Sequence, residues 1–275
     1  MLVNRRAVSV SGAAAQQDQG HVQCVPRFRA VVLSLAVGTH RLELGDATLR
    51  EWDATVVAAD PEGIVLDRSA FFPGGGGQPP DEGVVVWGGV QTRIVGARKT
   101  SDDVFLIPAE GDPLPTVGTA VRGALDDARR TALMRTHSAL HLLNGVVYRD
   151  YRLPVTGADM KPLEGRMDFD LPEVPDGFKE AVEAACNVEI EADRRIEVRE
   201  VPAAEAFAIE QVSVAARDLL PTRLDRVRLV DIVGLDVEAD GGTHVASTKQ
   251  IKRIEVVKIE NKGKGFRRLR LRLPE

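Results

Sequence analysis

The chain has 275 residues, 44% apolar and 28% charged, with 36 Lys and Arg against 41 Asp and Glu and a formal net charge of −5. Such a balance fits a soluble globular protein with room for one large domain or two modest ones, and it excludes a whole-surface nucleic-acid binder while leaving room for a local basic patch. No stretch approaches the ~20 apolar residues that span a bilayer, and the two isolated cysteines, Cys24 and Cys186, make no disulfide framework, so a reducing, cytoplasmic setting without a membrane is expected.

Residues 1–44 are small, polar and dotted with arginine, which predicts a poorly ordered N-terminal extension. Their apolar run, Ala30 to Val37, is short and has no typical cleavage site after it, so no signal peptide is read. β signals begin near Asp46. The β-branched runs Asp53 to Ala58 and Gly63 to Asp67 flank a turn cluster, Asp60-Pro61-Glu62-Gly63. A glycine run, Gly74 to Gly77, is followed by Gly83-Val84-Val85-Val86-Trp87-Gly88, then by candidate strands around Gln91 to Ala97 and Asp103 to Pro108. Gly118 to Gly123 reads as the way out of this region. Many short strands with frequent turns predict a small β-barrel or sandwich over residues 45–124.

Asp126 to Tyr148 contains no proline and carries an apolar face of Ala132, Leu133, Leu140, Leu142, Leu143 and Val146, which predicts a helix. Arg166 to Leu171 alternates in polarity and reads as a strand, Asp176 to Arg194 as a second long helix. A short strand near Val198 and Val201, a helical stretch from Ala203 to Leu219, and strands at Val227 to Ile232 and Ile251 to Ile259 follow. Arg267 to Leu273 alternates Arg and Leu, the pattern of a half-buried strand with one charged face. Residues 125–275 therefore read as α+β.

Only five histidines occur, and three lie in two short patterns: Thr136-His137-Ser138-Ala139-Leu140-His141 and Asp240-Gly241-Gly242-Thr243-His244. Histidines four apart on a helix project from one face, about 6 Å apart along the axis. That suits one metal ion, although a polar helix face or a satisfied core histidine explains either pattern alone. Zinc proteases place a glutamate directly after the first histidine; Ser138 stands there, against that reading. Asp240 and His244 repeat the spacing, but Gly241-Gly242 disfavours a helix, and a tight loop can turn both side chains to one point. Three histidines and a carboxylate suit Zn²⁺, one ion per chain. Gly74 to Gly77 is either a flexible hairpin loop or a wall where backbone approaches a ligand; no Gly-Lys-Ser/Thr follows, so it is not a P-loop. Lys249 to Arg272 holds ten Lys and Arg against Glu255 and Glu260, which fits a solvated strand face or an RNA-backbone surface.

Several motifs fall in one order along the chain. They are Leu66-Asp67-Arg68-Ser69-Ala70-Phe71-Phe72-Pro73, Gly75-Gly76-Gly77-Gln78-Pro79 with Asp81 and Gly83, Met134 to Leu143, Gly165 to Asp170, Asp240 to Val245, and Ile259 to Gly265. In this order they resemble the freestanding alanyl-tRNA editing proteins, the AlaX family, over about residues 46–273. The β-rich segment before the histidine helix resembles the medium-length members. The resemblance implies an α+β fold: a small N-terminal β-barrel-like domain, then an editing domain of the alanyl/threonyl-tRNA synthetase second-additional-domain type, with the site between them. It implies hydrolysis in trans of mischarged aminoacyl-tRNA(Ala), mainly seryl and then glycyl. The partner would be tRNA(Ala) carrying a wrong amino acid, with no obligate protein partner.

The resemblance also implies site residues. The metal ligands would be His137, His141, Asp240 and His244. Synthetase editing domains carry a cysteine where this chain has Asp240. Asp240 either completes a His₃Asp shell or stands behind three histidine ligands; loss of the metal is a third reading, opposed by the retention of all three histidines. The ion would either lower the pKa of a bound water or polarise and orient the substrate. Gln78 and Thr136 are the catalytic candidates; Ser69, Gly75, Gly76, Gly77 and Thr243 are the substrate-binding ones. Of these, Ser69, Gln78, Thr136 and Thr243 are candidates to pair with the serine hydroxyl that alanine lacks. Lys258, Lys262, Lys264, Arg267 and Arg268 would meet tRNA phosphates and 2′-hydroxyls. The alternatives are a non-catalytic RNA-binding relative with the same fold, and a zinc hydrolase acting on another ester or amide.

Overall fold

A computed structural model describes residues 38–275 apart from 211, 213–224 and 264. Six strands close into a barrel: β2 (Glu51–Asp60), β3 (Gly63–Leu66), β5 (Gly83–Trp87), β6 (Val90–Lys99), β7 (Val104–Pro108) and β8 (Ala120–Leu125), in the order β2-β3-β7-β6-β5-β8. Alternate residues of β2, β6 and β8 point inward, and Trp52, Val56, Ile64, Leu66, Phe71, Val85, Ile94, Leu106 and Val121 fill the interior. Trp52 meets Phe71 edge to face with ring centroids 5.2 Å apart. The segment read as leading out of the barrel is instead its closing stave: β8 pairs with both β2 and β5. Glycine at 123 marks a packing contact there, because a side chain would run into the Trp52 indole opposite.

Two further strands flank the barrel, β1 (His40–Arg41) and β4 (Arg68–Ser69), paired in parallel. Thr39 Oγ1 donates to Leu66 O at 3.0 Å and accepts from Val104 N at 3.1 Å. Residues 38–44, assigned from sequence to the poorly ordered extension, are thus built into the barrel region; residues 1–37 lie outside the described residues.

The second half is built around one helix, α1 (Asp127–Tyr151), whose N-cap Asp126 accepts from Arg129 N at 2.9 Å. Residues 133–147 are all buried, so this helix is covered on every side rather than on one stripe. On it pack α2 (Phe178–Glu191), a four-stranded antiparallel sheet, and the last strand of a three-stranded one. The larger sheet runs β14-β15-β10-β9, where β9 is Val155–Lys161, β10 Glu164–Asp170, β14 Glu255–Asn261 and β15 Phe266–Arg272. The smaller runs β11-β12-β13, where β11 is Ile196–Pro202, β12 Arg226–Ile232 and β13 Asp236–Ala239. The Arg/Leu alternation of β15 buries Leu269 and Leu271 as expected.

Two segments differ from the sequence reading. Ile251 to Ile259 divides into a 3₁₀ turn at Thr248–Ile251 and β14, broken by Lys252 at a φ of 74°. The stretch from Ala203 begins with a five-residue helix, α3 (Ala203–Phe207), and mostly lies outside the described residues beyond it. Among the described residues no helix is long and apolar enough to cross a membrane. Cys186 is free and fully buried, and burial pushes its thiol well above the ordinary range.

Candidate metal centre

The long helix brings His137 and His141 to one face, one turn apart, with ring centroids 5.0 Å from each other. The loop after β13 supplies the other half. There Asp240 folds back on itself, accepting from Gly242 N at 2.6 Å and lying 3.0 Å from His244 Nε2. A side chain on residue 242 would collide with the His137 imidazole, so glycine there lets the loop close onto the helix. His244 lies tilted against His137 and edge-on to His141, with centroids 4.3 Å and 4.6 Å away. One ligand atom from each of His137, His141, Asp240 and His244 lies within 4.8 Å of the others. Donors around a tetrahedral zinc sit roughly 3.3 Å apart, given bonds of about 2.0–2.2 Å, so this cluster needs only a small contraction.

The outer nitrogens of two of the three histidines have partners. His137 Nδ1 meets Gln78 Oε1 at 2.9 Å, and His244 Nδ1 meets Ser138 Oγ at 3.2 Å. Both leave Nε2 facing the centre, where His137 Nε2 is 3.7 Å from Asp240 Oδ1. Burial, with the neighbouring histidines and Arg228, outweighs the pull of Asp240 and holds His137 well below the usual histidine range. Burial likewise brings His244 down to about 4, against its hydrogen bond to Asp240. Neutral imidazole is the ligating form. Burial opposes a charge on Asp240, but the three imidazoles and the His244 bond outweigh it and hold the carboxyl well below its usual range. His141 is different. Burial would lower it, yet Glu238, Asp236 and Asp240 together raise it to about 9. The donor set, the two neutral rings and the ionised carboxylate fit Zn²⁺.

The glycine run closes this centre from the barrel side. Gly75 and Gln78 bond each other through both backbone groups, at 3.0 and 2.9 Å, around Gly76 and Gly77, whose φ values are 58° and 85°. Two consecutive positive φ angles are what a type I′ turn demands, and glycine supplies them without strain. The turn lies over the metal motif: a side chain on Gly76 would touch Asp240 Oδ1 at 3.5 Å. Gly77 O accepts from Met160 N at 3.1 Å, which fixes the turn to β9.

The remaining candidate residues fall into three groups. Gln78 is 2% exposed, and both ends of its amide bond protein: Nε2 donates to Thr243 Oγ1 at 2.9 Å, and Oε1 accepts from Thr243 N at 3.1 Å besides facing His137. It thus orients His137 and ties the glycine turn to the Asp240–His244 loop. Thr136 and Ser69 are buried and committed locally. Thr136 Oγ1 donates to Ala132 O at 2.8 Å and accepts from Leu163 N at 2.9 Å, while Ser69 Oγ accepts from Phe71 N at 3.1 Å. In the basic group, Arg268 grips Asp168 with two bonds of 2.7 Å and Lys258 pairs with Glu260 at 2.5 Å. Arg267 bonds Pro172 O at 2.7 Å, Lys262 is exposed, and Lys264 lies outside the described residues.

The sequence reading did not single out Asp236, Glu238 and Asn144, which border the centre. Asn144 Nδ2 donates to Asp236 Oδ1 at 3.3 Å and to Glu238 Oε1. Burial and then Asp236 push Glu238 up to about 7, against the pull of His141. The signal was present: Leu235-Asp236-Val237-Glu238-Ala239-Asp240 alternates apolar and acidic, and a strand puts its three acids on one face.

Comparison with known proteins agrees with this architecture. Residues 227–270 match the family described as the threonyl and alanyl tRNA synthetase second additional domain. The chain is 33% identical over 233 residues to the alanyl-tRNA editing protein AlaX-M of Saccharolobus solfataricus, covering 84% of this chain and 97% of that one. It belongs to the AlaX-M family of freestanding alanyl-tRNA editing proteins. The Methanosarcina mazei AlaX-M is 35% identical over 240 residues, covering 84% of this chain and 95% of its own. Alanine–tRNA ligase of Pyrococcus furiosus is 30% identical over 234 residues, only 25% of its length. Within the family assignment, the barrel is the N-terminal domain and the helix-centred α+β unit is of the second-additional-domain type.

Proposed function

We propose that this chain is a trans-acting hydrolase that cleaves the ester bond of tRNA(Ala) carrying a wrong amino acid, seryl first and glycyl second, with one zinc ion per chain. The convergence of His137, His141, Asp240 and His244 directly beneath the glycine turn carries this reading. Zinc held by these four residues would supply a Lewis acid beside an ester that is already activated.

The chain's own residues do the rest. Gln78 and Ser138 fix two of the imidazoles, which limits the reorganisation those ligands need before reaction. Of the three glycines, Gly76 presents backbone rather than a side chain to the space above Asp240, leaving room for a small aminoacyl group, whereas Gly77 faces the β9 backbone at Ala158 and a Cβ on Gly75 would meet nothing within 4 Å among the described residues. Of the four candidates for recognising a serine hydroxyl, Gln78 and Thr243 are the pair beside the centre. Thr243 Oγ1 accepts from Gln78 and keeps its own proton to donate. Alanine would leave that donor unpaired, which favours seryl over alanyl substrate. Arg268 and Lys258 are partly neutralised by their carboxylates, so Lys262 and Arg267 are the stronger candidates for phosphate contacts.

A deacylation assay on seryl-, glycyl- and alanyl-tRNA(Ala) tests this function. We expect release of serine, slower release of glycine and little release of alanine. Release from none of the three by zinc-loaded protein favours the non-catalytic RNA-binding alternative.

A further inference from the structure

We propose that Asp236 is the positioning residue for the third histidine of the centre: its Oδ2 accepts a hydrogen bond from the Nδ1–H of His141 and so turns Nε2 to the metal. The proposal rests on the metal-centre reading above. His137 and His244 have partners on Nδ1, Gln78 and Ser138 respectively. His141 Nδ1 is buried and has no hydrogen-bond partner among the described residues, and the same is true of Asp236 Oδ2. These two orphaned atoms face each other at 3.6 Å. A histidine that ligates through Nε2 must carry its proton on Nδ1. Asp236 Oδ2 is the acceptor in front of it, and a closure of about 0.6 Å makes an ordinary hydrogen bond.

The surrounding backbone is arranged for this approach. Gly145 follows His141 by one turn on the same face of α1. A Cβ there would stand 2.9 Å from Asp236 Cβ and 2.9 Å from Leu235 Cγ. Glycine inside a helix is costly compared with alanine, and here it lets β13 come close enough for Asp236 to reach His141. Asn144, between the two on the helix, holds the other carboxylate oxygen at 3.3 Å. Asp236 is 2% exposed, so its geometry is set by these contacts rather than by solvent. Glu238 lies on the other nitrogen, with Oε2 3.7 Å from His141 Nε2.

Outer partners of this kind change metal affinity by about 10–100-fold. The test is zinc affinity of the full chain, measured by competition with a chromophoric chelator, for the wild type, Asp236→Asn, Asp236→Ala and Glu238→Gln. We expect roughly tenfold weaker zinc binding in Asp236→Asn, which keeps the shape and a neutral acceptor, and a larger loss in Asp236→Ala. Cobalt loaded in place of zinc reports the ligand field, and its visible bands should shift in Asp236→Asn while the far-UV circular dichroism stays unchanged. If Asp236→Ala does not fold, Asp236→Asn decides. Wild-type zinc affinity and cobalt spectrum in a folded Asp236→Asn overturn the proposal, as does a loss confined to Glu238→Gln. A wild type that binds no zinc refutes the metal-centre reading itself, a distinct result.

Discussion

At the scale of single residues, the centre depends on two glycines as much as on its ligands. Gly242 occupies the space against which the His137 ring lies, and Gly145 the space into which Asp236 descends. Alanine at 242 adds one methyl group, yet it must displace the imidazole or the Gln78 amide that faces it. A shift of about 1 Å at a reacting centre can cost on the order of 100-fold in rate. Gly242→Ala should therefore lower kcat/KM on seryl-tRNA(Ala) by roughly that factor while leaving the melting temperature within a few degrees. Wild-type kinetics in this variant would show that the loop has room to spare. The ligands themselves were legible in the sequence, because i, i+4 histidines and a glycine-flanked Asp/His pair each have a local geometric meaning. Asp236 was legible only in part: the alternation of residues 235–240 puts it on one face with Asp240, but its approach to His141 depends on a cross-strand register, Ile232 opposite Asp236, that no local pattern specifies. The positioning role of Gln78 was equally hidden, for its partners are 59 and 165 residues away in the chain.

At the scale of elements, α1 carries both the site and the packing. Its long apolar content and lack of proline made it readable, but its end was not. The helix runs past Tyr148 to Tyr151, where Arg149 pairs with Glu189 and the Tyr151 ring meets Phe178, both on α2. β9 and β13 went unread: β9 is largely polar and β13 only four residues long, and pairing with β10 and β12 supplies what their own composition lacks. One tie between helices makes a test. Arg149 of α1 and Arg194 beyond α2 both donate to Glu189 of α2. Burial opposes its charge, but these two guanidinium groups outweigh it and hold the carboxyl below its ordinary value of 4.5. A lowered folded pKa gives stability that is fully present above the unfolded value and is lost as pH falls through the folded one. Glu189→Gln should thus cost about 1–2 kcal/mol at pH 7, with the difference from wild type shrinking below pH ~4.5. Urea unfolding at pH 7 and pH 3 measures it; an equal cost at both would mean the charge is not what matters.

At the scale of the whole molecule, the barrel contributes structure to a centre whose ligands all come from the α+β half. The buried pair Arg130–Asp81 is one joint: Arg130 Nε lies 3.1 Å from both carboxylate oxygens, and its guanidinium also donates to Ala70 O and Ala47 O. Asp81 in turn accepts from Phe72 N at 2.7 Å, so the ends of the segment carrying the glycine turn are fixed to α1. The turn itself then reaches over Asp240. The order of motifs along the chain made this two-part plan readable, whereas the closure of the barrel by β8 needed pairings that span the whole domain. The proposed activity, hydrolysis of mischarged tRNA(Ala), depends on one zinc ion held under the glycine turn by His137, His141, Asp240 and His244. Its most direct test is the rate of serine release from seryl-tRNA(Ala) by protein as purified, after exhaustive chelation, and after return of one equivalent of zinc. Release should fall to background on chelation and return with zinc in wild type but not in His137→Ala. Full activity in chelated protein with no residual metal would contradict it.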